Sequence, residues 1–253
     1  MTESVAPVRR SPNLLMIAAR EPTPGFTKTR LWASVGMETA ATLYRAFLAD
    51  LAHRFVPPSL TEEPPFDLAW AFTPDGCDFP GVVAALSPVM GALAGMASGR
   101  VRYVPQWGEG WGERQANLLR WGHGEGYRRT VLTASDSPQM SVATVEAAFT
   151  ALLGHDVVIG RVEDGGYYLI GLSGPHDVLR DVPMSSASAA DALLARARGL
   201  GLRVAEVEPT FDVDTHADLV TLRNYAARFS ATIPATAAAL ALLGTESRDG
   251  NPS

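Results

Sequence analysis

The sequence predicts an α/β domain with a mostly parallel sheet and helices on both faces. Three observations carry that prediction. Short apolar runs of strand length alternate with longer helical stretches through most of the chain. The clearest helix, Met37 to Phe55, has apolar residues in steps of three and four. The loops rich in Gly, Pro, Asp and basic residues follow the predicted strands, where ligands gather in open α/β sheets.

The elements follow in order. Leu14–Ala19 reads as a buried strand after a polar lead, residues 1–12, which lacks an apolar signal-peptide core. Helix Met37–Phe55 is stopped by Pro57 and Pro58. Phe66–Phe72 and Val101–Pro105 are strands, with a short helix from Val82 to Leu86 between them. Gly112–Gly122 is a helix and Arg128–Ala134 a buried strand. Ser141 is placed to cap a helix that runs to Leu153. The runs DVVIG and YYLIGL are strands joined through Asp164-Gly165-Gly166, a hairpin signal. Helix Ala187–Gly199, strand Leu202–Glu208 and helix Asp214–Phe229 complete one domain, residues 13–230. Residues 231–253 read as an Ala-rich tail that turns polar at Thr245 and frays.

Bulk chemistry narrows the function. The chain has 253 residues, 47% of them hydrophobic, and a mean hydropathy near zero, enough for one sizeable core. A net charge of −6 with no basic block argues against nucleic acid as partner. No apolar run reaches the roughly 20 residues of a membrane span. The lone Cys77 allows no intrachain disulfide and points to a reducing, cytoplasmic setting. The histidines lack metal-ligand spacing, and neither GxxxxGK[ST] nor a Rossmann GxGxxG is present. Ser135 lacks the GxSxG setting of a hydrolase nucleophile. Trp107, Trp111 and Trp121 are assigned to core packing rather than base stacking.

Three strand-end loops can carry chemistry. In AREPTPGFTKTRL, Pro22, Pro24 and Gly25 shape a loop that delivers Arg20, Lys28 and Arg30, cations suited to phosphate. The plainer reading is a loop with solvated charges. In TASDSP, Asp136 sits where a carboxylate is costly unless exposed, capped or bound to a cation. A plain strand-to-helix turn fits too. In FDVDTHADL, Asp212 and Asp214 point the same way if the segment is extended. Asp214 could instead be no more than a helix cap. A second carboxylate facing Asp136 would complete a site for Mg²⁺ or Mn²⁺, which uses few protein ligands beside phosphate oxygens and water. In EDGGYYLIGL, Asp164 stands beside Gly165 and Gly166, which leave room for a sugar or base.

These segments, with LYRAFLADL and GERQANLL, resemble in order the DUF2064 proteins over Leu14 to Arg228. The resemblance implies a glycosyltransferase-A, or nucleotide-diphospho-sugar transferase, fold: a Rossmann-like three-layer α/β/α sandwich. It implies a nucleotide-binding set of Arg20, Gly25, Lys28, Arg30, Ser135 and Asp136. The acceptor-binding set is Asp164, Gly165, Gly166 and Tyr167. The resemblance also implies Asp136 and Asp214, and less strongly Asp212, as the metal ligands. The same resemblance implies Lys28, Asp136 and Asp164 as the catalytic residues. The opening loop is also similar to the Arg…Pro-Gly-Lys loop of sugar-activating cytidylyltransferases, and KTRL to the Lys-Ser-Arg-Leu of phospholactate guanylyltransferases. DVDTHADL is similar to their Asp-x-Asp-Thr-Pro-x-Asp-Leu signature, with His216 at the proline. Two departures, Met184-Ser185-Ser186 for Trp-Ser-Thr and Arg161 for Pro, fall on the side expected to bind acceptor. The leading expectation is a glycosyltransferase that moves a sugar from a nucleotide to a small-molecule acceptor. A nucleotidyltransferase releasing pyrophosphate is the alternative, and a non-catalytic nucleotide-binding protein is the third. The single Asp in SDS, where a DxD pair would mark glycosyl transfer, keeps the alternatives open.

Overall fold

The computed structural model describes residues 11–56, 65–86 and 101–246. The proline stop at 57–58, most of the N-terminal lead and the residues after Glu246 lie outside these. The chain runs through β1 (Asn13–Arg20), a 3-10 turn (Thr29–Leu31), α1 (Trp32–Val35), α2 (Met37–Phe55) and β2 (Asp67–Thr73). It continues through α3 (Phe79–Leu86), β3 (Val101–Pro105), α4 (Trp111–Gly124), β4 (Arg129–Ala134) and α5 (Val142–Ala151). Then come β5 (Val157–Val162), β6 (Tyr167–Leu172), α6 (Ala189–Gly199), β7 (Val204–Thr210), α7 (His216–Phe229) and α8 (Pro234–Glu246).

The strands form one sheet in the order β3-β2-β1-β4-β6-β5-β7. β2, β1 and β4 pair in parallel, as do β2 with β3 and β5 with β7; β6 alone runs against its neighbours β4 and β5. Both faces are covered, and β1 shows why its sequence is apolar without alternation. Leu15, Ile17 and Ala19 pack under α2, α5 and α7, while Leu14, Met16 and Ala18 pack under α4 and α6. This is the expected three-layer α/β/α sandwich.

Chain order turns at β1. From it the chain builds outward to β2 and β3, then returns to place β4 on the other side. The carboxyl ends of β1 and β4 flank that switch point, where open α/β sheets leave a crevice. The hairpin between β5 and β6 forms as the Asp-Gly pair predicts. Gly165 sits at φ 90°, and a Cβ there would lie 1.9 Å from the Ala187 carbonyl oxygen, so no other residue fits.

The expected fraying tail is corrected by α8. This helix packs on α2, with Leu240 and the preceding Ile233 buried in the core. Its first N–H groups, from Ala235 and Thr236, donate to the carboxylate of Asp50, which is buried inside α2. An Ala-rich run such as ATAAALALL shows no polar face, so its sequence does not mark which side meets a core.

Candidate active site

The site is assembled from loops that leave β1 and β4 and from the segment before α7. In the opening loop, Gly25 adopts φ 84° and Lys28 φ 53°, so the chain folds back on itself. Side chains brace that path: Thr27 Oγ1 donates to the Glu21 carbonyl, Trp32 Nε1 to that of Thr27, and Arg45 to that of Pro22. Lys28 is thereby driven inward. Its side chain is 4% exposed and its ammonium lies over the rings of Tyr44 and Phe47, 5.9 and 6.0 Å from their centroids.

The ammonium is held by both predicted metal carboxylates. It lies 2.5 Å from Asp136 Oδ1 and 3.0 Å from Asp214 Oδ1. Burial alone would lower the lysine pKa. The two carboxylate charges and their hydrogen bonds outweigh burial and hold it above the ordinary lysine value. Arg30, largely exposed, approaches Asp214 Oδ2 at 3.6 Å. Burial pushes the Asp214 carboxyl up, but Lys28 and Arg30 bring it below its usual value.

Two loops some 75 residues apart in sequence meet because their backbones are stitched together. Val213 N–H donates to the Asp136 carbonyl, and Ser137 Oγ and Gln139 Nε2 both donate to that of Phe211. The helix-cap reading of Asp214 is corrected here. Thr215 is the N-cap of α7, in a reciprocal capping box with Asp218, which leaves the Asp214 carboxylate free for Lys28. Asp212 is pushed up to about 6, first by burial and then by the charges of Asp214, Asp164 and Asp136.

The crevice has two lobes that share Arg30, Trp111, Ala134, Asp136 and Asp214. The first, about 350 Å³, is lined by Arg20, Lys28, Arg30, Gln106, Arg114 and Ser135, among others. The second, about 390 Å³, is lined by Asp164, Gly166, Tyr167, Asp212 and the Met184–Ser186 segment. Of the predicted nucleotide set, Arg20, Lys28 and Ser135 line only the first lobe and Arg30 and Asp136 line both, while Asp164, Gly166 and Tyr167 of the predicted acceptor set line only the second; Gly25 and Gly165 line neither. Ser135 is buried beneath the first lobe, its hydroxyl 2.6 Å from that of Tyr44, which also accepts the Arg20 N–H. Arg20 itself donates to the Phe26 carbonyl.

Other readings are revised. Arg161 does not line the acceptor lobe; its guanidinium pairs with Asp191 and Glu206 on the surface. Asp164 spends one oxygen on the Gly166 N–H, closing the hairpin turn. Trp111 is not core: it is 38% exposed and lines both lobes. Trp107 is also exposed, whereas Trp121 packs against the core as expected, with the Arg102 guanidinium over its ring. Sequence reasoning missed Gln106, Arg114 and Tyr44. Gln106 follows a strand directly, the one signal that could have found it. Tyr44 is indistinguishable in sequence from its apolar neighbours on α2.

The donor set admits a divalent cation. Asp136 and Asp214 already converge on one positive charge, and Asp212 lies beside them with its carboxyl raised by burial and then by its acidic neighbours. Among the described residues no group of three or more His, Cys, Asp or Glu side chains is arranged to hold a metal ion. A protein contribution of two carboxylates, with phosphate and water filling the rest, is within the habit of Mg²⁺.

Residues 81–186 match the DUF2064 family, described as uncharacterised proteins conserved in bacteria. The DUF2064 match takes in Asp136 and the β5–β6 hairpin but stops short of the loops that carry Lys28 and Asp214. It is therefore narrower than the span over which the sequence motifs resemble that family. A crystal structure from Desulfovibrio desulfuricans G20 extends the likeness. It is 28% identical, covers 96% of this chain and all of its own, and superposes with a TM-score of 0.80. That protein is provisionally named a nucleotide-diphospho-sugar transferase. The 4-diphosphocytidyl-2C-methyl-D-erythritol synthase of Anaerococcus prevotii DSM 20548 shares the fold at 11% identity. The match covers 86% of this chain and 97% of that one, with a TM-score of 0.51. No curated protein matches in sequence. Among the described residues no helix is long and apolar enough to cross a membrane.

Proposed function

We propose that this chain is a nucleotide-dependent transferase that moves a sugar from a nucleotide-sugar to a small hydroxylated acceptor. The observation that carries the reading is the Lys28 ammonium between Asp136 and Asp214, where the two lobes join. A diphosphate at that junction would meet Lys28, Arg20 and Arg30 on its anionic oxygens. The donor's sugar would then reach into the lobe of Asp164, Tyr167 and Asp212.

In the transfer, the acceptor oxygen bonds to the sugar's anomeric carbon as the bond from that carbon to the diphosphate oxygen breaks. The nucleoside diphosphate leaves and the hydroxyl proton passes to a carboxylate of the acceptor lobe. Asp164 and Asp212 are the carboxylates there. Asp136 and Asp214, with phosphate oxygens and water, would hold Mg²⁺ or Mn²⁺, which would supply charge neutralisation on the leaving diphosphate. Lys28 and Arg30 supply the same stabilisation from the protein, as fixed charges that need no reorganisation. The name of the Desulfovibrio relative supports this reading.

One observation favours nucleotidyl transfer as the second reading. Arg20, Lys28, Arg30 and Arg114 all line the first lobe, more cations than a diphosphate requires. The experiment that separates the two is a thermal-shift screen of nucleoside triphosphates, diphosphates and nucleotide-sugars with and without Mg²⁺ or Mn²⁺. Analysis of the released product follows. A ligand bound only by the folded state raises the melting temperature. Metal-dependent stabilisation by a nucleotide-sugar, with nucleoside diphosphate released, is the expected outcome. Released pyrophosphate would establish the second reading. Binding without turnover would leave a nucleotide-binding protein, and no stabilisation by any nucleotide would overturn all three.

A further inference from the structure

Tyr44, on α2, meets the ends of both strands that flank the switch point. Its phenol oxygen accepts the N–H of Arg20, the last residue of β1, at 3.0 Å. The same oxygen lies 2.6 Å from the hydroxyl of Ser135, the first residue after β4. Ser135 is anchored in turn by its own N–H, which donates to the Ala18 carbonyl on β1. Tyr44 and Ser135 are 2% and 3% exposed, and both line the first lobe. Among the described residues neither hydroxyl has a further hydrogen-bond partner.

Counting protons gives this chain a direction. Two hydroxyls carry two protons, and the bond between them uses one. Conjugation with the ring keeps a phenol O–H near the ring plane, with two directions open to it, whereas a serine O–H turns to suit its neighbours. One side of the Tyr44 oxygen is taken by the Arg20 N–H, a donor that the phenol proton cannot face. Tyr44 therefore donates to Ser135, and the Ser135 proton is left over. Burial, and after it the charge of Asp136, push the phenol up to about 12, so Tyr44 keeps its proton at neutral pH. A buried O–H without an acceptor is costly, and Ser135 opens only onto the first lobe. The Lys28 ammonium stands over the Tyr44 ring in that lobe, and it too offers only donors. The group that completes the arrangement must bring an acceptor, and negative charge suits it best.

Resting on the nucleotide reading above, we propose that Tyr44 is a positioning residue for the phosphates. It holds the Ser135 hydroxyl as a donor aimed into the first lobe, where a phosphate oxygen accepts it beside the Lys28 ammonium. Tyr44 acts through Ser135 and not on the phosphate itself. A phosphate oxygen carries acceptors and no donor, so it fits a wall whose last proton is already pointed outward.

The test is calorimetric titration of the full chain with UDP, CDP, ADP and GDP in the presence of Mg²⁺, and with the matching nucleosides, which lack the phosphates. Tyr44→Phe keeps the ring under Lys28 and removes only the hydroxyl. It should weaken the tightest diphosphate about three- to tenfold, the scale of one hydrogen bond, and leave its nucleoside unchanged. Ser135→Ala should cost the same factor. The double variant should bind no more weakly than Ser135→Ala alone, because the phenol acts through that hydroxyl. Factors that multiply would show that Tyr44 serves only the fold, through Arg20, and would overturn the proposal. So would an unchanged diphosphate affinity in Tyr44→Phe, or an equal loss for the nucleoside. If Tyr44→Phe does not fold, Ser135→Ala decides: it leaves the Arg20 bond intact, and an unchanged affinity would mean that the hydroxyl meets no phosphate. Failure of all four diphosphates to bind the unaltered protein would overturn the proposal together with the transferase reading.

Discussion

The two lobes share a wall at Asp136 and Asp214, yet their polar groups are occupied differently. In the first lobe four cations, Arg20, Lys28, Arg30 and Arg114, stand against two carboxylates, Asp136 and Asp214, and Arg30 and Arg20 stay largely exposed. In the second lobe the polar groups already serve the fold. Tyr167 donates to Gln115, whose amide reaches the Met184 sulfur, and Asp164 is held by Gly166. Burial also raises the Tyr167 phenol above the ordinary tyrosine range, so it is a neutral donor and not a base. The first lobe is built to meet charge, and the second to hold a shape around a neutral group.

The sharpest way to break this contrast is Lys28→Ala. It removes the cation that both lobes lean on and leaves Asp136 and Asp214 facing each other. Nucleotide affinity should fall at least about tenfold in calorimetry, roughly 1.4 kcal/mol or more, in a protein that still melts cooperatively. An unchanged affinity would mean that the first lobe is not a phosphate site.

Asp212→Asn tests the wall itself. With a folded pKa of about 6, above the unfolded value near 3.9, Asp212 binds its proton more tightly in the folded state. Its contribution to stability is intact below about pH 4 and is lost as pH rises through 6. The ionised carboxylate is thus a liability at neutral pH. Asn should stabilise the metal-free protein at pH 7.5, by about 1 kcal/mol after allowance for partial exposure, and leave it unchanged near pH 4. Denaturant titrations at the two pH values would show this, and equal effects at both would refute it.

Tyr167→Phe should leave nucleotide affinity unaltered while costing about 1 kcal/mol of stability, because Gln115 Oε1 loses its donor. A fall in nucleotide affinity would erase the division between lobes. Smallest of all should be Arg161→Ala. Its partners Asp191 and Glu206 are exposed, and such pairs contribute roughly 0–1 kcal/mol. Both lobes should be indifferent to it in the same two assays.

The contrast also explains what sequence could reveal. Lys28, Asp136 and Asp214 were legible because strand-end loops advertise charge against apolar surroundings, and each sits within a short motif. Part of the second lobe was legible too, since the motifs put Asp164, Gly166, Tyr167 and the Met184–Ser186 segment on one side of the site; Gln115 of α4 was not, because its approach depends on how the sheet is ordered. Nothing local marks β6 as the one reversed strand beyond its Asp-Gly turn. Gln106 looks like any polar residue after a strand until its amide is seen donating to the Ala19 and Ala71 carbonyls. Residue type alone points to a capping role for Asp214. That reading fails because Thr215, one position later, takes the role through Asp218.

Asp50 carries a consequence for where the protein can be cut. Its carboxylate lies in the interior of α2, and both of its oxygens are satisfied from outside that helix, by the first N–H groups of α8. A truncation after Ser230 would follow the apparent end of the α/β pattern and remove only a low-complexity stretch. It would also leave an acidic side chain stranded in the hydrophobic layer, its two donors deleted. The boundary of this domain is therefore set by one buried charge, and the C-terminal helix is its counterpart rather than an appendage.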